Sequence, residues 1–529
     1  MISNKKVLLV CRESYAFPLY FIAEKMLEQK NQVGAFFVYP EESAYSKSFY
    51  NENTYYAFKE RLPKVKTFGL EDFCTEYIDV CRMRKDPDLV FLKDIENEYT
   101  YFKNLNQQLL SSQSTSRPFH SRPYYKYSSQ IENLHYLELA YRKVIDVLDE
   151  FKPDVILDCE DSELLRTVLI EVAYSRGIPY ISLDYPRFEM YKIPTYSLGL
   201  KENPDLEEAY RYFWQGEESL LVDELAYINE TRRNEKIMSL EFSGTITSKY
   251  KPSSLLSLLK FILIKAIYFV NVYIINLNAR VVRNDIIIFT SPLKHFWFYL
   301  KVEIKKQYLY RRNRFFELPI DNEEYLYMPL HLIPESTTFV KAPFYVNELF
   351  LIEQISKSLP IGWKLYVKEH QAMIGERRFD FYRRIRKIHN VRLVQFNYYK
   401  DPKPWIEKSK GVITISGSSA YEAAILGKRS VIFGEVPFKL IEGVTKVDSF
   451  ERLVSLFSDF GESVDSKSCA AYLAAVKSVG TEIDLKYLIS ESELIINGNT
   501  RASEKFNKSL DSLLSFYNRA FLSFHNHGS

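Results

Sequence analysis

The sequence predicts an α/β protein made of two Rossmann-like domains that face each other across a cleft and are joined by an amphipathic helical linker. Three observations carry this. At 529 residues the chain is too long for a single core. Its N-terminal half opens with strand, helix and strand at the spacing of a βαβ unit. Its C-terminal half then alternates short apolar strands with helices, the rhythm of a doubly wound sheet.

The first strand is predicted over 7–11, followed by a helix over 19–30 and a second apolar strand over 33–39. A Ser-, Arg- and Pro-rich stretch over 111–123 reads as an exposed loop. Apolar residues recur at helical spacing over 132–151, and Lys152-Pro153-Asp154 leads into a strand over 155–157. A helix over 162–176 stops at Gly177-Ile178-Pro179, and 180–183 forms the next strand. In the second half, strands are predicted over 285–289, 325–328, 363–367, 391–394, 411–415 and 430–433. Helices are predicted over 346–358, 379–388, 404–409 and 419–426. The resulting domains are 1–250, a linker over 251–283, and a second domain over 284–495. The remainder, 496–529, has helical periodicity over 503–524 and is expected to pack back on the first domain.

Composition narrows the function classes. Hydrophobic residues make up 46% and charged residues 26%, which excludes global disorder. Aromatics reach 15% while only 17 residues are glycine, which argues against a Gly-rich repeat array. Lys plus Arg is 70 against 68 acids, so the net charge of +2 gives no reason to expect nucleic-acid binding. Five scattered cysteines without a CxxC pair fit a reducing compartment and neither a disulfide framework nor a zinc site, and no metal is expected. The start, MISNKKVLLVCRES, has too short an apolar run for a signal peptide, so the expected compartment is the cytoplasm.

The linker is apolar over 255–275 except for Ser257, Lys260, Lys265 and Asn271. Two lysines and an asparagine are costly in hydrocarbon, which argues against a spanning helix. Ser253, Ser257, Lys260 and Asn271 fall on one helical stripe, the pattern of an amphipathic helix. Downstream, 294–314 holds seven Lys or Arg and one acid, interleaved with Phe296, Trp297, Phe298, Tyr308 and Tyr310. Two readings stay open: an inner-membrane surface patch through 255–275 and 294–314, or a helix pair packed on the protein itself.

Three polar clusters follow predicted strands of the second domain, where open α/β sheets bind ligands. The first is Ile415-Ser416-Gly417-Ser418-Ser419-Ala420-Tyr421-Glu422, a strand, a small-residue turn and a helix start. Backbone N–H groups with the Ser418 and Ser419 hydroxyls suit a phosphate there, and Glu422 suits ribose hydroxyls. The plainer alternative is that one serine caps the helix. The second is Lys368-Glu369-His370, whose imidazole can donate to a phosphate oxygen. The third, 328–336, adds His331 and Glu335.

These residues resemble the bacterial capsule and surface-polysaccharide glycosyltransferases, the group that includes the Kdo transferases of capsule assembly. The resemblance rests on "PLHLIPES" at 329–336, "LYVKEH" at 365–370 and "ITISGSSAYEAAILGK" at 413–428. More distantly the chain resembles bacterial sialyl- and polysialyltransferases. Their His-Pro and Ser-Ser/Thr signatures bind the cytidine monophosphate of the donor. Gln371 stands here in place of that proline, and the N-terminal acids lack the following glycine. The resemblance implies a GT-B fold, a nucleotide-sugar donor held by the second domain, a glycan or glycolipid acceptor, and inverting transfer without a metal or other cofactor. The donor expected is a CMP-activated acidic sugar of the Kdo or nonulosonate type. The donor-binding residues expected are His331, Glu335, Lys368, His370, Gly417, Ser418, Ser419 and Glu422.

Inverting transfer needs a carboxylate near the acceptor hydroxyl. Glu160 and Asp161 follow the strand over 155–157 and are the expected base; Glu13 and Asp184, after other strands, compete. Three other readings remain: a UDP-sugar transferase, a nucleotide-sugar 2-epimerase, and a non-catalytic scaffold at the membrane surface.

Overall fold

The computed structural model describes residues 1–38, 52–99, 104–111, 129–160, 164–195, 203–237, 255–270, 292–312, 315–333, 335–399 and 401–527. The strand expected over 285–289, most of the loop over 111–123, and Asp161 lie outside the described residues.

The first half contributes β1 (Lys6–Cys11), β2 (Gln32–Phe37), β3 (Lys66–Phe68), β4 (Val155–Leu157), β5 (Tyr180–Asp184) and β6 (Tyr191–Thr195). The second contributes β7 (Tyr325–Pro329), β8 (Lys364–Lys368), β9 (Val391–Val394), β10 (Gly411–Thr414), β11 (Ser430–Ile432), β12 (Val444–Lys446) and β13 (Thr481–Glu482). They form two sheets, β13-β6-β5-β4-β1-β2-β3 and β12-β11-β10-β7-β8-β9. The second sheet is parallel throughout. In the first, β1 to β5 pair in parallel, while β6 and β13 close the edge antiparallel. Two Rossmann-like domains joined by a helical segment are the GT-B arrangement expected from the sequence.

β1 shows why the sequence folds this way. Its residues 7–11 are all buried, as a parallel strand covered on both faces requires. Val7, Leu9 and Cys11 pack against helix Ala16–Glu28 and the C-terminal helices. Leu8 and Val10, on the opposite face, meet helices Gln130–Phe151 and Leu164–Ser175. Helix Gln130–Phe151 starts on a reciprocal cap between Ser129 and Glu132 and stops where Lys152 turns left-handed, at φ 54°, before Pro153.

Helix Glu504–His527 packs on the first sheet: Phe506, Leu510, Leu513, Phe516 and Tyr517 join the core under β1. Tyr517 Oη also donates to the Asp158 carbonyl at 2.8 Å. The crossing back comes earlier than the boundary read at 495. β13 already sits on the edge of the first sheet, pairing Thr481 with Lys192, and a two-residue edge strand leaves no periodic signal. Conversely, helices Pro204–Gln215 and Val222–Arg233, assigned from sequence to the first domain, pack on helix Ser466–Val479. Tyr210 Oη lies 2.9 Å from Ser468 Oγ, and Arg232 Nε donates to the Ile425 carbonyl at 2.7 Å.

The linker region is helical over Leu255–Val270. Leu256, Leu259, Leu263, Ile264 and Ile267 are exposed on one face of that helix, together with Lys260. No helix among the described residues is long and apolar enough to cross a membrane. Helix Pro292–Arg312 instead buries Phe298, Val302 and Leu309. It lies so close to Gly375 that a Cβ there would stand 2.5 Å from the Val302 carbonyl. Trp297 and Ile304 remain exposed.

Candidate active site

Parallel strands deliver their carboxyl ends to one rim, and the polar clusters after β7, β8 and β10 meet there around a cavity of about 280 Å³. All eight residues nominated in the second domain line it. Tyr185 and Arg187, from the loop after β5, and Lys341 are among the other residues of its wall.

Ser419 is 7% exposed, and its hydroxyl finds no hydrogen-bond partner among the described residues. An unpaired buried hydroxyl is costly, so its position on a cavity wall points to a ligand. Ser418 Oγ donates to Glu422 Oε1 at 3.0 Å, and Ser418 makes no side-chain cap on helix Ser419–Ile425. The capping alternative therefore does not describe this helix start. Gly417 is required for space: a Cβ would lie 2.6 Å from Thr414 Oγ1, with His331 Nε2 and Ser419 Oγ each 3.4 Å away.

Lys368 lines the cavity; its carbonyl accepts from the Leu330 N–H at 2.8 Å, while its ammonium group has no hydrogen bond or ion pair among the described residues. Burial lowers its pKa, while the nearby Glu422, Glu369 and Asp401 pull the other way. Burial is also the main cause that pushes His370 down to about 4, helped by the charges of His331, Lys368 and Arg377. The imidazole is thus neutral at pH 7. Its Nδ1 accepts from the Ala372 N–H at 3.2 Å, which places the remaining proton on Nε2. Glu422 is pushed up to about 7, chiefly by burial and further by Asp401, against Ser418, Arg187 and Lys368.

His331 lines the cavity but has both ring nitrogens engaged, Nδ1 with Glu348 Oε1 at 3.3 Å and Nε2 with Thr414 Oγ1 at 2.9 Å. It forms wall structure as placed. Glu335 is the residue just before helix Ser336–Lys341 and also lines the cavity.

Behind the wall is a buried charge network that sequence reasoning missed. Arg377 bridges Glu348 at 2.6 Å and Glu369 at 2.9 Å and donates to the His331 carbonyl at 2.8 Å. Glu369 also accepts from the His370 N–H at 2.7 Å and from Tyr382 Oη at 2.8 Å. One guanidinium therefore ties the loops of both histidines together. Only their three-dimensional pairing marks these residues, so no spacing in the chain could have singled out Arg377.

The N-terminal acids are placed differently. Glu160 pairs with Arg166 at 2.7 Å and Arg12 at 3.6 Å. Asp158 beneath it is fully buried, held by Arg166 at 2.6 Å and Tyr180 at 2.5 Å. Glu13 lies in the single turn Glu13–Tyr15 beyond β1. Glu160 does not line the cavity. Asp184 is buried and pairs with Lys341 at 3.0 Å, an ion pair between the two domains.

No protein-family model matches the chain, and no curated protein matches it. Solved structures do. A Thermosulfurimonas dismutans KpsC described as a beta Kdo 2,7 transferase is 10% identical, with a TM-score of 0.34 over 68% of this chain and 90% of that one. The same organism's KpsC beta Kdo 2,4 transferase is 12% identical, with a TM-score of 0.31 over 64% and 87%. A UDP-GlcNAc 2-epimerase from Methanocaldococcus jannaschii is 11% identical, with a TM-score of 0.27 over 89% and 99%. Likenesses this low carry no functional conclusion.

Proposed function

We propose that this chain is a glycosyltransferase of bacterial surface-polysaccharide synthesis. It takes a sugar from a nucleotide donor held in the cavity and passes it to a glycan or glycolipid acceptor without a metal. The donor favoured is a CMP-activated acidic sugar of the Kdo or nonulosonate type. The observation behind this is that three hydrogen-bond donors line one cavity at the strand ends: the Ser419 hydroxyl, the Lys368 ammonium and the His370 Nε2–H. Preorganised donors of this kind stabilise negative charge on a departing phosphate. His370, uncharged at pH 7, serves as a hydrogen-bond donor and leaves the positive charge to Lys368. Glu422 takes the ribose hydroxyls. An acid of the first domain, Asp161, Glu160 or Glu13, accepts the proton of the acceptor hydroxyl.

A thermal-shift panel of CMP, UDP, GDP and ADP tests the donor class. CMP is expected to raise the melting temperature most, because only a ligand of the folded state does so. Lys368→Met is expected to weaken CMP at least tenfold, the loss typical of a charged hydrogen bond. No shift with any nucleotide would remove the reading.

We also propose that helix Leu255–Val270 rests on an anionic membrane surface. Its exposed leucine and isoleucine side chains suit the acyl boundary, and Lys260 suits the headgroups. Full-length protein should co-sediment with vesicles containing phosphatidylglycerol. Leu259→Asp with Leu263→Asp should reduce this to background while leaving the CMP shift intact. Equal sedimentation of the double variant would refute it.

A further inference from the structure

The loop after β5 has a conformation that its side chains do not favour. Arg187 has φ 70° and Glu189 φ 44°, both left-handed and neither glycine. Such residues persist where the surroundings over-determine them, and they cluster at ligand sites. Here the surroundings do so. Tyr472 Oη, fully buried, donates to the Pro186 carbonyl at 2.9 Å. The Tyr185 N–H donates to Asp184 Oδ1 at 2.7 Å. Phe188 is buried, stacked on Tyr191 with ring centres 5.4 Å apart and edge-on to Tyr227 at 5.1 Å. The Tyr191 N–H closes the turn on the Phe188 carbonyl at 3.1 Å.

A residue needed only to make this turn would be glycine, which takes positive φ without strain. An arginine at the same place suggests that its side chain is used. Arg187 lines the cavity that also contains Lys368 and Ser419, although it belongs to the other domain. Its charge acts on Glu422 alongside that of Lys368, so the guanidinium stands close to the proposed donor site.

We propose that Arg187 is a ligand-binding residue: the first domain uses it to grip the phosphate of a nucleotide whose remaining contacts come from the second. This deepens the transferase reading and rests on it. A guanidinium offers a planar fork that matches phosphate oxygens, which a lysine cannot reproduce. Contacts from both domains to one anion would also couple donor binding to the way the two domains meet at this cavity.

The test is titration of full-length protein with CMP and, as the phosphate-free control, cytidine. Arg187→Gly relieves the backbone strain while removing the guanidinium. Arg187→Asn, which tolerates the left-handed region, is the second variant. Both are expected to melt, without ligand, at or above the temperature of the unsubstituted protein. Both are expected to lose at least tenfold of the preference for CMP over cytidine, and Arg187→Lys to lose less. An unchanged preference in the glycine and asparagine variants would overturn the role of Arg187 and leave the pocket reading standing. If the unsubstituted protein itself shows no preference for CMP, the pocket reading falls and this inference with it.

Discussion

Arg377→Met will lower the stability of the second domain by about 3–5 kcal/mol, the cost typical of breaking a buried ion network by removing one partner. Arg377, Glu348 and Glu369 are all buried. Burial alone would raise Glu348, but the Arg377 guanidinium and hydrogen bonds from His331 hold it below the usual carboxylate range. Glu369 stays raised by burial despite Arg377. Without the arginine, two carboxyl groups would face each other in a water-poor space with no cation between them. The His331 and His370 loops would lose their common anchor, so CMP binding should weaken even where the variant still folds. Urea unfolding followed by fluorescence reads the first effect. Arg377→Met combined with Glu348→Gln and Glu369→Gln should recover part of the loss, because it removes the stranded charges. A loss below about 1 kcal/mol in the single variant would show that the network contributes little.

The second large effect is a concealed pH dependence. Folding raises Glu422 from 4.5 to about 7. Between those values the folded state holds a proton that the unfolded chain has released, so this group's contribution is greatest below 4.5 and is lost as pH rises through 7. Folding lowers His370 from 6.5 to about 4. Its contribution is present above 6.5 and is lost as pH falls through 4. Each is worth on the order of 3 kcal/mol at the conversion of 1.36 kcal/mol per unit. The two slopes oppose each other from about 4.5 to 6.5 and should largely cancel in the unsubstituted protein. Glu422→Gln should expose a stability that rises with pH across this window, and His370→Gln one that falls. Melting curves of the three proteins across the range check this. Parallel curves would mean that neither group is perturbed.

Buried parallel strands were legible because both faces must be apolar and turn residues bracket them. The strands over 155–157 and 391–394 have the expected bounds, between Pro153 and Cys159 and after His389-Asn390. β3, β6, β12 and β13 were missed because they are edge or near-edge strands, three of them no longer than three residues, with no room for periodicity. The cavity residues were legible for a topological reason: whatever follows a strand in a parallel sheet arrives at the same rim. What they do there was less legible. His331 proved to be held by Glu348 and Thr414, and Glu160 by Arg166 and Arg12, pairings made between distant segments. Arg187 gave no signal because its left-handed backbone is imposed by Tyr472 and Phe188, not by local sequence.

The most direct measurement is a crystal structure of the protein with CMP or a CMP-sugar. The phosphate should sit within hydrogen-bond reach of Ser419 Oγ, Lys368 Nζ and His370 Nε2. A nucleotide ordered instead in the separate cavity of about 360 Å³ lined by Asp205, Phe516 and Arg519, with the Ser419 pocket empty, would contradict the account.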